Sequence, residues 1–189
     1  MSTLSKTLGT VALAVASFSL QAEDFTSLMQ VATSTWPEKT HIGVICDYHF
    51  SRAQVEDLAR AAGSGVMITV ADANRVEKTG AGVQILANRM TDFMVLLPND
   101  RVIRDGSFAA SIAISQLAMR GIPTVGTTPD ALLQGAVFSM GDGTNHEVLV
   151  TNRVKGTVDV TLPVGTTFSQ KASLPLSEGM ATITVLSSK

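Results

Sequence analysis

Between residues 41 and 140 five short aliphatic runs alternate with stretches of helical periodicity, and this alternation restricts the possible fold more than any other feature of the chain. The runs, residues 41–46, 66–70, 93–97, 122–125 and 135–140, are too short for helices and end in polar or turn-forming residues. Uninterrupted apolar runs of that length suit strands buried on both faces. After the first run, residues 51–62 place Val55, Leu58, Ala59 and Ala62 on one helical face, with Ser51 and Gln54 at capping-box spacing and Gly63 as the stop. A glycine-broken helical segment fills 73–90 with Val83, Leu86, Ala87 and Met90 as its apolar side, and a strongly apolar helix covers 107–120. Thr128-Pro129-Asp130 then opens a short helix with Thr at the cap and Pro at the first position. Strands alternating with helices build a parallel sheet wrapped on both sides. The expected fold class is α/β, a three-layer Rossmann-like and mostly parallel sheet of about five strands with helices on both faces.

The two ends read differently. Residues 145–151, 157–162 and 180–186 alternate apolar with polar or β-branched positions, separated by Gly, Pro, Asn and Asp. They are expected to form a C-terminal antiparallel β extension of the same sheet, because about 45 residues seldom enclose a core of their own. At the other end, Lys6 precedes an uncharged Ala-, Val- and Leu-rich run over 7–20, followed by Gln21-Ala22 and the acidic Glu23-Asp24. A positive start, a short apolar segment and a small residue before polar sequence describe a secretory signal peptide, here residues 1–22. The organisation expected is a signal peptide followed by a single domain over 23–189, with a Rossmann-like core at 41–142 and a β-rich tail at 143–189. The location expected is the periplasm. A short helix at 25–33, with Phe25, Leu28, Met29 and Ala32 on one face, ends before Trp36-Pro37.

Composition excludes several function classes. Removing residues 1–22 takes away only Lys6, which leaves 13 basic against 16 acidic side chains, a net charge of −3. Such a balance lacks the clustered Lys and Arg that nucleic acid demands. The one cysteine, Cys46, cannot form an internal disulfide, so an exported chain of this kind must be held by packing. With one Trp and one Tyr, that packing is mainly aliphatic.

In an open parallel sheet, ligands gather beyond the carboxyl ends of the strands. That places Asp47, Tyr48 and His49 after the first strand, Asp72 and Asn74 after the second, Asn99 and Asp100 after the third, and Thr127 and Thr128 after the fourth. Asp47, Tyr48, Asn99, Asp100, Thr127 and Thr128 are the candidate ligand-binding residues. Each aspartate also reads as the cap of a helix or turn. Thr127-Thr128-Pro129 offers helix-start N–H groups and two hydroxyls to a carboxylate or phosphate oxygen, although capping alone accounts for Thr128 equally well. Cys46, Asp47 and His49 lie close together, yet a thiol nucleophile needs a neighbouring base and zinc needs three or four converging ligands. Three histidines without paired spacing supply neither. Gly80-Ala81-Gly82 does not follow the first strand, as a dinucleotide fingerprint must, and neither Gly-x-Ser-x-Gly nor Gly-Lys-Ser/Thr occurs. No catalytic residue, metal or cofactor is expected; the sequence reads as a binding protein rather than an enzyme.

Ile42-Gly43-Val44-Ile45, the run Thr91 through Asp100 (TDFMVLLPND), and the series Gly121 through Pro129 (GIPTVGTTP) leading to Gly135-Ala136-Val137-Phe138 carry a family likeness. This region, residues 42–142, resembles the second lobe of the periplasmic substrate-binding proteins of ABC transporters for amino acids and related solutes. The resemblance implies a small amino acid or carboxylate as ligand. It departs from the family in leaving no room for a first lobe before Ile42 and in running to β structure after Gly143. A lone lobe covers half of a solute, so tight capture implies a homodimer or a partner that supplies the other wall. A second likeness, a short helix, Trp36-Pro37 and then a strand, is similar to periplasmic inhibitors of membrane-bound diguanylate cyclases. It implies an inner-membrane protein partner instead, but the cysteine pairs of those inhibitors are missing here.

Overall fold

The computed structural model describes residues 20–140, 148–150, 167–168 and 179–187. Residues 1–19 of the expected signal peptide lie outside the described residues, as do residues 141–142 of the expected core and residues 143–147, 151–166, 169–178 and 188–189 of the expected β tail. The strands are β1 (His41–Cys46), β2 (Met67–Asp72), β3 (Phe93–Val95), β4 (Thr124–Gly126), β5 (Phe138–Met140), β6 (Val148–Val150), β7 (Thr167–Phe168) and β8 (Thr182–Ser187). The helices are α1 (Leu20–Thr35), α2 (Tyr48–Ala62), α3 (Thr79–Asn88), α4 (Phe108–Ala118) and α5 (Pro129–Gln134), with a 3-10 turn at Val76–Lys78.

All eight strands share one sheet in the order β7-β6-β5-β4-β3-β1-β2-β8. The six from β5 to β8 run parallel, which bears out the expected α/β class. Among the described strands β6 alone runs the opposite way, pairing antiparallel with both β5 and β7. The last strand departs from expectation: β8 lies parallel to β2, with Ile68 opposite Ile183 and Val70 opposite Val185, at the far edge from β6 and β7. Its alternating sequence is that of a half-exposed edge strand, and an alternation of period two carries no information on direction or neighbour.

The sheet divides the core into two layers. On one face α1 and α2 bury Phe25, Leu28, Val55 and Leu58 against Ile42, Val44, Ile68 and Val70. Trp36 closes this layer, its ring 5.6 Å from Phe93 and 4.8 Å from Phe138. On the other face α3, α4 and α5 bury Val83, Leu86, Ile114, Leu117 and Ala131 against Ile45, Ala71, Met94 and Leu96. Fully burying a Val, Leu, Ile or Phe side chain stabilises by roughly 1.5–3 kcal/mol before the entropy of ordering it is charged. Close helix approach depends on small residues: a Cβ on Gly82 would stand 2.7 Å from Ile45 Cγ2, and one on Gly43 would stand 2.7 Å from Leu86 Cδ1.

Three local expectations are corrected. The cap of α2 is Asp47, whose carboxylate accepts from Phe50 N, so the helix begins one turn earlier than Ser51 and Gln54 suggested. Ser51 and Gln54 are buried inside α2 and turn their polar atoms toward the β3 loop instead. Met90 is 82% exposed, because it follows α3 in a left-handed conformation (φ 54°) that swings it off the apolar face. Gly135, read as the start of the fifth strand, is the left-handed stop of α5 at φ 108°.

Candidate functional site

Because β1 lies between β2 and β3, the chain reverses its direction of travel across the sheet between β1 and β3. This switch point is where an open α/β sheet leaves a crevice at its carboxyl rim. Every candidate residue lies on that rim, but several face one another rather than solvent. Asp100 is fully buried and accepts four hydrogen bonds, from Asp47 N (2.9 Å), Ser51 Oγ (2.6 Å), Val102 N (2.8 Å) and Ile103 N (2.7 Å). Both its oxygens are taken, so it fixes the β1 and β3 loops together and has nothing left for a solute. Asp47, also buried, caps α2 through one oxygen and holds Arg101 through the other, with Arg101 Nε at 2.6 Å and Nη2 in contact. Arg101 lies 5.7 Å from the centre of the exposed Phe50 ring. Tyr48 N donates to Asp72 Oδ1 (3.1 Å), and Ser187 Oγ donates to Asp72 Oδ2 (3.3 Å), which ties the β1, β2 and β8 ends together. Asn99 is exposed, and its N–H donates to Gln54 Oε1 at 3.3 Å. His49 and Asn74 are exposed as well.

Cys46 sits beneath this network, fully buried. Burial pushes its thiol far above the ordinary range, and the carboxylates of Asp100, Asp72 and Asp47 push it further. Both effects hold it in the protonated form, whereas the thiolate is the reactive form of a cysteine. Among the described residues no group of three His, Cys, Asp or Glu side chains is placed to hold a metal ion.

The Thr127-Thr128 amides, expected to face an anion, already hold one. Asp105 Oδ2 accepts from Thr127 N (2.7 Å), Thr128 N (2.5 Å) and Thr127 Oγ1 (3.3 Å). Gly126 lets this carboxylate approach, since a Cβ there would lie 3.1 Å from it and 2.1 Å from Ala131 Cβ. Burial raises the Asp105 pKa, and the hydrogen bonds from Thr127 and Thr128 oppose that shift without cancelling it. Its second oxygen is buried without a hydrogen-bond partner among the described residues.

Beside Asp105 a depression of about 410 Å³ opens between the β3 and β4 loops, lined by Pro98, Arg104, Asp105, Ser107, Thr128 and Asp130. Arg104 and Asp130 are exposed on its border, and neither has an ion-pair partner among the described residues. Sequence reasoning passed over Arg101, Arg104, Asp105 and Asp130. The first three belong to one charged loop of seven residues, 99–105, and that density of charge after a buried strand was the available signal.

No family model and no curated protein matches the chain. Among solved structures it is similar to an ABC domain in complex with L-Trp from Streptococcus pneumoniae, with a TM-score of 0.53 and 14% sequence identity. The match covers 77% of this chain and 52% of that one, so this chain spans about half the length of its structural neighbour. At that identity the likeness establishes a shared fold.

Proposed function

We propose that this protein is a solute-binding-like single lobe, a binding protein rather than an enzyme, which takes a small amino acid or carboxylate on its carboxyl rim. The observation that carries the reading is the rim depression of about 410 Å³ bordered by Arg104 and Asp130, neither of which has an ion-pair partner among the described residues. That volume lies within the range of small-molecule sites. Charges of both signs suit a zwitterion: the guanidinium offers paired N–H donors to a carboxylate, and Asp130 accepts from an ammonium group. Ser107 and Thr128 add hydroxyls at the same border. The structural neighbour's complex with an amino acid supports this reading, as does the sequence likeness to substrate-binding lobes. Export to the periplasm and service to an ABC transport system belong to the same proposal and rest on residues 1–22 and on that likeness.

Isothermal titration against a panel of amino acids and short carboxylates tests it. Saturable binding that weakens at least about tenfold in both Arg104→Ala and Asp130→Ala is expected, since charged groups that recognise a ligand contribute about 1.5–3 kcal/mol each. Absence of binding by every member of the panel would remove the solute role.

A further inference from the structure

Five neighbouring strands, in the sheet order β4-β3-β1-β2-β8, each begin beside a thioether or an imidazole. Met119 lies between α4 and β4, Met90 precedes β3, His41 opens β1, Met67 opens β2 and Met180 precedes β8. Met119, Met90, Met67 and Met180 are exposed, at 76%, 82%, 52% and 43%, whereas Met29, Met94 and Met140 are buried. Core packing accounts for the buried three. The exposed four line the amino edge of the sheet, at the opposite end of the strands from the Arg104–Asp130 depression.

The centre of this row is built around His41. His41 and Met67 are cross-strand partners in the parallel register, which puts their backbones about 4.8 Å apart. His41 Nε2 lies 2.8 Å from Thr69 Oγ1, and Thr69, two residues beyond Met67 on β2, shares its face of the sheet, so the ring leans over β2 on the side of Met67. With the Thr69 hydroxyl accepting from Nε2–H, Nδ1 keeps its lone pair and has no hydrogen-bond partner among the described residues. An outer partner on one ring nitrogen is what orients a metal-binding imidazole. On the other side of His41, Asp92 N donates to His41 O (2.7 Å), which sets Met90, two residues earlier, beside the same strand end. A Schellman turn holds Met90 there, with Thr91 N donating to Leu86 O (3.2 Å) and Met90 N to Ala87 O (3.0 Å). Its φ of 54° belongs to a conformation that ordinarily goes to Gly or Asn, and that strain turns the thioether out to solvent.

From this arrangement we infer a binding site for a soft monovalent cation, copper(I) or its analogue silver(I), held by His41 Nδ1 and the sulfurs of Met67 and Met90. Thioethers select such ions over magnesium or calcium. The unbranched, flexible methionine side chain lets both sulfurs swing toward the imidazole. The surrounding charge suits a single positive charge: the Asp92 carboxylate accepts from His41 N at 2.8 Å, while Lys39 and Arg120 share a depression with Met90 and Asp92 and disfavour a divalent ion. The inference is independent of the solute reading, whose residues lie at the other end of the strands.

Calorimetric titration of the full chain with silver(I) in chloride-free buffer tests it, together with anaerobic competition for copper(I) against a chromophoric chelator. A single saturable site is expected, with the methyl resonances of Met67 and Met90 and the ring resonances of His41 shifting together. Met67→Leu and His41→Gln should each weaken the ion at least about tenfold, and Thr69→Val, which frees the imidazole, about tenfold. Met90→Gly should weaken it as much as Met67→Leu while leaving the Tm of the metal-free protein undiminished, because glycine accepts the left-handed conformation without strain. Met119→Leu and Met180→Leu, one strand further out on either side, should leave the affinity unchanged. Absence of a saturable site for either ion overturns the inference. A site that survives Met67→Leu and Met90→Gly but is lost in Cys46→Ala also overturns it, since the ion then sits on the thiol. Equal losses from the outer and inner methionines overturn it as well.

Discussion

Removing the Asp100 carboxylate should be the most damaging single change on the rim. Alanine at this position leaves Asp47 N, Ser51 Oγ, Val102 N and Ile103 N without their acceptor at a site closed to solvent. Each unmet buried donor costs about 1–3 kcal/mol. Against their sum stands the relief of no longer burying a carboxylate, which is several kcal/mol. The hydroxyl of Ser51 can also turn elsewhere. A net loss of about 3–5 kcal/mol is expected, which at roughly 2–4 °C per kcal/mol for a domain of this size lowers Tm by about 6–20 °C. Asp100→Asn separates geometry from charge. One amide oxygen can still serve Val102 N and Ile103 N, and Ser51 can reverse its hydroxyl to accept, but Asp47 N then faces an NH2 group. That variant should lose about 1–3 kcal/mol. Urea denaturation followed by circular dichroism measures both, with an unchanged m-value as the check on two-state behaviour. An alanine variant within about 1 kcal/mol of the parent would refute the assignment of Asp100 as the clasp of the β1 and β3 loops.

Further consequences follow from particular contacts. Gly126→Ala puts a methyl 2.1 Å from Ala131 Cβ, so α5 must shift; a loss of about 1–3 kcal/mol in the same denaturation assay is expected, and an unchanged midpoint would contradict the packing. Cys46 should resist a thiol reagent in the native state and react once the chain is unfolded, because its thiol is buried and held protonated; rapid native labelling would contradict this. Asp105 has its folded-state pKa raised by burial, so its protonated form is the one folding favours. Its contribution to stability is fully present below the unfolded-state value of about 3.9 and is lost as pH rises through the folded value. Relative to Asp105→Asn, the parent should therefore lose stability as pH climbs from acid toward that value; a difference that is flat with pH would contradict the upward shift caused by burial.

The layers were legible because burial on both faces leaves a mark in sequence. The first strand, His41–Cys46, and the helix residues Val55, Leu58, Val83, Leu86 and Leu117 were readable from run length and period alone; the strand is buried from Ile42 onward, and the five helix residues are all in the core. What escaped is what depends on partners distant in sequence. Ser51 and Gln54 have capping-box spacing, but Asp47 supplies the cap and Asp100, 49 residues beyond Ser51, claims its hydroxyl. Thr127 and Thr128 read as an open anion cradle, and only the fold brings Asp105 across 22 residues to fill it. The direction of β8 escaped because alternation looks the same read either way. On the rim the sequence picked out the loops after β1, β3 and β4 without showing that Asp47 N donates to Asp100 or that Arg104 and Asp130 have no ion-pair partner among the described residues.

Amide chemical-shift mapping during titration with an amino acid is the most direct test of solute binding at the carboxyl rim. Perturbations should concentrate at Arg104, Ser107, Thr128 and Asp130 around the depression and leave the opposite end of the sheet, near Met67 and Met90, unchanged. Shifts centred on that opposite end, or none at saturating solute, would contradict the assignment.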